Sequence, residues 1–325
     1  MNLLNKFRNL INNNPLTRRL FVSLASTLMI PLLNIQSYLS IDSYKRKRKA
    51  SLWRKTMNLL ERPEFEKIII SRSSTSFFYK NGIAFNIAKN RSSVSNMLVF
   101  DGNYEINETN LVKELIKPDW TVIDIGANFG WYSIHFSRLV GPRGKVFSFE
   151  PIPESYEELN SNMKLNSCQN MKIFNTALGN REDIVSFGVP EIDGGLAASS
   201  QFLKCNKQIQ VSMRRLDDIV EEQNITNVDF IKVDIEGGEL DMLHGAEKLL
   251  EQFKPNIMIE IVDVHCHRFG YSPNDVYQFL LSKGYSGLFI GNQFTKEKTN
   301  VEINELIKPN ENNLSNGNYF FLFKL

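Results

Sequence analysis

From residue 106 onward the chain alternates short apolar runs with segments of helical periodicity, and this alternation restricts the fold more than any other feature. TVIDIG, KVFSFEP, MKIFNTALG, DFIKVDIEGG and PNIMIEIV read as core strands, with YSGLFI and NYFFLFKL as two more near the end. Before and between them TNLVKELIK, GWYSIHFSRLV, Glu154 to Asn166, LDDIVEEQ, GELDMLHGAEKLLEQF and SPNDVYQFLLSKG read as helices. The last is capped by Ser272, with Pro273 in its first turn. The strands are apolar nearly throughout, the pattern of strands covered on both faces. Such units build an α/β fold, a mainly parallel sheet with helices on both sides. DIVSFGV and KQIQVSMRRL are expected as extra strands.

Three segments follow: an N-terminal helical extension at 1–60, a β-hairpin lead-in at 61–105 and the α/β domain at 106–325. SFFYK and IAFNIA flank Asn81-Gly82, a strong hairpin signal. SNMLVF reads as a further strand and Asp101-Gly102 as a further turn. In the extension no charge occurs between Leu20 and Ile41, and Leu20, Leu24, Leu28, Leu32, Ile35 and Leu39 recur at helical spacing. Ser23, Ser26, Thr27, Pro31, Asn34, Gln36 and Ser37 dilute this stretch, and the basic run Lys45–Lys49 follows it. An amphipathic helix is expected, with residues 20–49 making peripheral membrane or partner contact without spanning. The expected localisation is cytoplasmic, with membrane association through that helix.

Composition excludes other classes. Hydrophobic residues make up 42% of the chain, enough for a real core. The three cysteines, Cys168, Cys205 and Cys266, are scattered without a CxxC pair, which argues against a disulfide framework or zinc site. Net charge is +2, and the one basic cluster lies outside the α/β domain, so a nucleic-acid partner is disfavoured. Oligomeric state is not legible.

Open α/β sheets bind ligands beyond the carboxyl ends of their strands. Gly126 in DIGANFG lets backbone approach a ligand, Asn128 tolerates a left-handed conformation, and Gly130 opens the next helix close to the sheet. The N-terminus of that helix offers N–H groups suited to a carboxylate. Glu150 ends the second strand, where an acid can accept both hydroxyls of a ribose. A glycine turn with a ribose acceptor suits a nicotinamide dinucleotide or adenosylmethionine. The dinucleotide fingerprint needs a glycine where Asn128 stands, so a ligand without phosphates fits better.

VIDIGANFGWYSIHF, VFSFEPIPESYEELNSNMKLN, LDDIV, DFIKVDIEGGELDMLHGAEKLL and IMIEI, in this order, resemble the FkbM-type methyltransferases over about residues 106–290. The resemblance implies a Rossmann-like class I methyltransferase with a seven-stranded sheet and S-adenosyl-L-methionine as cofactor. Asp124 and the turn Gly126–Ala127–Asn128–Gly130 would hold the methionine part, Glu150 the ribose, and Asn175 and Ala177 the adenine. The family is associated with O-methylation of hydroxyls on sugars and natural products. Residues 1–105 match no motif of it.

DIEG places Asp234 at the end of the fourth strand and Glu236 two residues on, the candidate catalytic carboxylates. Transfer to a hydroxyl needs alignment and removal of its proton. Asp234 would orient the donor and Glu236 face the acceptor. DIEG lacks the Pro-Pro-aromatic run of base N-methylating enzymes. Asp234 with Glu260 is too few ligands for a metal, so none is expected. Glu239 is expected to complement a helix dipole, His244 to sit at the surface or pack, and His135 to be packed. His265 and His267 can face one way only on an extended loop, where His265 is a further candidate base. The acceptor, a glycan, small molecule or lipid-linked hydroxyl, would meet residues 181–212, 262–272 and part of the N-terminal region. The rival readings are a nicotinamide-dependent oxidoreductase and a non-catalytic Rossmann-like binding module.

Overall fold

The computed structural model describes residues 64–88, 98, 104–189, 198–199, 207–290, 308–309 and 314–323. The expected N-terminal helix, with residues 20–49, lies outside the described residues. Of SNMLVF only Leu98 is described, and it is helical and buried. Two compact units divide the chain, Met1–Asn103 and Tyr104–Leu325. The second therefore starts two residues before the expected domain and includes Tyr104 and Glu105.

In the first unit β1 (Phe65–Ile70), β2 (Ser74–Tyr79) and β3 (Ala84–Ala88) form an antiparallel sheet in that order. The hairpin between β2 and β3 turns at Asn81-Gly82 as its sequence requires. Gly82 has φ +81°, and Asn81 Oδ1 accepts the Ile83 N–H at 3.1 Å. Phe77 and Phe85 are fully buried, so these aromatics serve packing.

The second unit opens with α1 (Ile106–Leu115), followed by β4 (Thr121–Ile125), α2 (Trp131–Val140), β5 (Lys145–Phe149), α3 (Pro153–Leu165) and β6 (Met171–Phe174). The other half of its main sheet is β11 (Phe230–Val233), β12 (Asn256–Ile261), β13 (Tyr285–Phe289) and β14 (Gly317–Phe323). The seven strands lie in the order β13-β14-β12-β11-β4-β5-β6. Pairing is parallel from β12 to β6, and β14 runs antiparallel between β12 and β13. This is the expected Rossmann-like architecture. The chain leaves β4 towards β6 and returns to β11 beside β4, so the switch point of the sheet is the junction of β4 and β11.

A second sheet, not foreseen as a separate layer, branches off after β6. β7 (Ala177–Leu178), β8 (Asp183–Val189), β9 (Ala198–Ser199) and β10 (Lys207–Arg214) form it in the order β7-β10-β8-β9. MKIFNTALG, expected as one strand, is therefore two, β6 in the main sheet and β7 paired with β10.

Past α4 (Leu216–Glu222), the expected helix GELDMLHGAEKLLEQF is also two, α5 (Glu239–His244) and α6 (Glu247–Phe253). The cause is long-range. A side chain at Gly245 would lie 2.0 Å from the Gly179 carbonyl oxygen, and the Gly245 carbonyl accepts the Asp217 N–H at 3.0 Å. The buried Asp217 carboxylate then accepts the Lys248 and Leu249 N–H groups at 3.2 and 3.0 Å, capping α6. The His265–His267 stretch is the short helix α7 (Asp263–Arg268), not an extended loop. α8 (Pro273–Ser282) begins with the capping box Ser272–Asp275.

Candidate active site

The carboxyl ends of β4, β5 and β11 converge on a cavity of about 320 Å³. Its construction starts at the turn after β4. The Gly126 and Ala127 N–H groups donate to the Phe149 carbonyl at 3.0 and 2.9 Å. Asn128, left-handed at φ +53°, donates its N–H to Glu150 Oε2 at 2.8 Å, and Glu150 Oε1 accepts the Ile152 N–H at 2.9 Å. Turn and strand end are thus one hydrogen-bonded unit, and Glu150 is its brace. The amides of Gly126, Ala127 and Asn128 are thus used inside the protein; the helix N-terminus expected to receive a carboxylate comes after them, with Gly130 as the N-cap of α2.

Gly126 is needed at φ +80° for a second reason. A side chain there would lie 1.8 Å from the Asp234 carbonyl oxygen, so the turn touches the end of β11. Close approach at this glycine is between two strand ends first.

Gly126, Asn128, Glu150, Ala177, Asp234 and Glu236 all line the cavity. Asp124, Ala127, Gly130 and Asn175 are not among its lining residues. Asp124 is fully buried and accepts the Ser133 hydroxyl of α2. Ala127 is buried, and Gly130, at φ +95°, brings α2 close to Leu159 of α3. Asn175 donates to the Glu150 and Pro151 carbonyls at 2.8 and 3.0 Å, steadying the strand end from outside. Thr176 lines the cavity next to Ala177.

The loop after β11 carries the other carboxylates. Glu236 is left-handed at φ +55°, a conformation that costs a non-glycine residue about 1–2 kcal/mol and is concentrated at functional sites. At Gly237 a side chain would lie 2.7 Å from the Phe269 ring, which explains the adjoining glycine. Burial, reinforced by Asp234, raises the Glu236 carboxyl to about 8. The same two causes raise Glu260, which faces the cavity from β12, to about 9. Glu239 accepts the Gly237 N–H at 2.9 Å and the Tyr271 hydroxyl lies 3.1 Å from its other oxygen, so it braces the loop. His265 lines the cavity, and its imidazole is lowered chiefly by burial, whereas His267 turns outward. His135 is buried, with its ring lowered by burial to about 4, and His244 packs on Phe279.

Sequence reasoning does not reach Tyr104 and Glu105, which also line the cavity. Glu105 precedes α1 in a left-handed conformation, accepts the Tyr132 hydroxyl at 2.8 Å, and is raised by burial and by Asp234 to about 7. Val185, Phe187 and Met213 of the second sheet and Phe269 add apolar wall to the cavity, beside Ile125, Phe149, Ile152, Leu178 and Ile235. Residues 181–212 and 262–272, both expected to meet the acceptor, therefore supply lining residues. Among the described residues no three His, Cys, Asp or Glu are grouped so as to hold a metal ion.

A methyltransferase FkbM domain model matches residues 124–286, half of the chain. The chain belongs to the FkbM methyltransferase family. The family segment runs from β4 to β13 and so contains every strand end at the cavity. Among curated relatives, the 2-O-methyltransferase NoeI of Sinorhizobium fredii is 28% identical over 155 residues, covering 43% of this chain and 63% of NoeI. The hexuronic acid methyltransferase AglP of Haloferax volcanii is 24% identical over 172 residues, covering 52% of this chain and 65% of AglP. The chain thus spans a little under two thirds of either relative. A solved FkbM methyltransferase from Methylobacillus flagellatus aligns over 70% of this chain and 52% of its own, at 15% identity and a TM-score of 0.41.

Proposed function

We propose that the protein is an S-adenosylmethionine-dependent O-methyltransferase acting on a hydroxyl of an uncharged sugar or small molecule, lipid-linked acceptors included. The observation that carries this is the acidic lining of the cavity wall. Glu105, Glu150, Asp234, Glu236, Asp241 and Glu260 line it, and no Lys or Arg is among its described lining residues. That donor set fits a ligand bearing a sulfonium and an ammonium and opposes a pyrophosphate, which disfavours a nicotinamide dinucleotide. The relative named as a 2-O-methyltransferase supports a hydroxyl oxygen as target.

When bound, adenosylmethionine supplies an electrophilic methyl group. The residues of this chain then have separate tasks. Glu150 accepts from the ribose while bracing the turn, since a carboxylate has about four lone-pair sites. Asp234 faces the methionine end. Glu236 takes the proton leaving the acceptor hydroxyl. Val185, Phe187, Met213 and Phe269 exclude water and pack against the apolar face of the acceptor.

Methyl transfer from labelled adenosylmethionine to a panel of neutral glycans, lipid extracts and uronic acids tests this. Label is expected in base-stable ethers of neutral acceptors. Preferential labelling of uronic acids, or label on nitrogen, would overturn it.

We further propose that residues 20–49 hold this protein at a membrane surface from the cytoplasmic side. The neutral amphipathic stretch followed by five basic residues supports this. High salt or carbonate is expected to release the protein from isolated membranes. Resistance to both would instead mean a true span.

A further inference from the structure

Lys232 stands in the middle of β11, in the run FIKV, whose four residues are all buried. Lysine is almost never buried without a partner. Its ammonium has several, and they lead to the cavity.

Residues two apart on a strand face the same side, so Lys232 and Asp234 project together. Lys232 Nζ donates to Asp234 Oδ2 at 3.0 Å. The lysine side chain is 4% exposed and the aspartate 26%, so the cation is hidden and the carboxylate looks into the cavity. The ammonium also lies 4.5 Å from the centre of the Tyr132 ring, whose hydroxyl is held by Glu105. Across the parallel pairing Lys232 stands opposite Asp124. Asp124 Oδ1 has no hydrogen-bond partner among the described residues, so its compensation at that atom is the neighbouring charge. Burial opposes the ammonium, but Asp234, Asp124 and Glu105 outweigh it and hold Lys232 above its ordinary range.

We propose that Lys232 is the positioning residue of the donor site: from beneath the cavity floor it fixes the Asp234 carboxylate in the orientation that receives the methionine end of adenosylmethionine. This rests on the adenosylmethionine reading above. A free aspartate side chain samples several rotamers, and the immobilising partner must be rigid itself. Lys232 is, being enclosed by β11, the Tyr132 ring and two further carboxylates. A lysine that merely neutralised the core would not need to hydrogen-bond a carboxylate that also lines the cavity.

Two ligands separate the roles. 5′-Methylthioadenosine keeps the adenine and ribose but lacks the amino-acid part that Asp234 faces. In calorimetric titrations Lys232→Met is expected to weaken adenosylmethionine by about ten- to a hundredfold, the range of one charge-assisted hydrogen bond. Methylthioadenosine binding should stay at the wild-type level. The Lys232→Met/Asp234→Asn double variant should bind no more weakly than Asp234→Asn alone, because the lysine acts through the aspartate. Should Lys232→Met fail to fold, Lys232→Gln, a neutral donor, is titrated in its place with the same expected pattern. Wild-type adenosylmethionine affinity in the variant, an equal loss of both ligands, or additive effects in the double variant would overturn the positioning role. A wild-type protein that binds neither ligand would instead overturn the adenosylmethionine reading.

Discussion

In single-turnover methyl transfer, Glu236→Gln is expected to slow the reaction by about 10²–10⁴-fold, the usual contribution of a positioned base. Adenosylmethionine binding should be retained, because the substitution keeps shape and leaves Asp234 and Glu150 in place. Asp234→Asn should do the reverse and weaken the donor first. The pH dependence gives the sharper test. A carboxyl acts as a base only when deprotonated, and Glu236 is raised to about 8, by burial first and Asp234 second, with Arg268 partly offsetting both. The wild-type rate should therefore rise with pH, about tenfold per unit well below 8, and level off above it. Glu236→Gln should lose that limb. Chelator present throughout should change neither curve. A normal rate in Glu236→Gln would transfer the proton to Glu105, Glu260 or His265, which also line that wall.

How much of this is legible in the sequence depends on the range of the interaction. The seven core strands are visible because each is a short, largely apolar run, the central ones buried on both faces and the edge strand β6 only in part. The glycine turn and Glu150 are visible because they sit at strand ends, where ligand chemistry concentrates. Gly245 is different. The residues around it continue a helical pattern, and only the distant Gly179 carbonyl and Asp217 carboxylate break it. Ala177-Leu178 looks like the end of β6 until β10, thirty residues on, pairs with it in register Met213–Ala177. Tyr104 and Glu105 precede the first core strand, so nothing local marks them as cavity residues. Lys232 does carry a local signal, a charge inside a fully apolar strand, and its meaning appears only when Asp234 and Asp124 surround it.

On the proposed function Glu150 joins the two kinds of role, and its removal is expected to have the largest effect on donor binding. Two hydrogen bonds from ribose hydroxyls to a charged acceptor contribute about 1.5–3 kcal/mol each, so Glu150→Ala should weaken adenosylmethionine by at least about a hundredfold. The brace is lost at the same time. The amides of Asn128 and Ile152, at 2.8 and 2.9 Å from the two carboxylate oxygens, lose their acceptors, and the turn after β4 loosens. Glutamine does not repair this, because its NH₂ group would confront one of the two donors. A drop in affinity alone therefore does not separate ribose recognition from a loosened turn. The separation comes from the ligand. Wild type should prefer 5′-methylthioadenosine over its 2′,3′-dideoxy analogue by about tenfold or more, since that analogue lacks both ribose donors. Glu150→Ala should bind the two alike. If the variant binds weakly yet keeps the wild-type preference, Glu150 only braces the turn and another group reads the ribose.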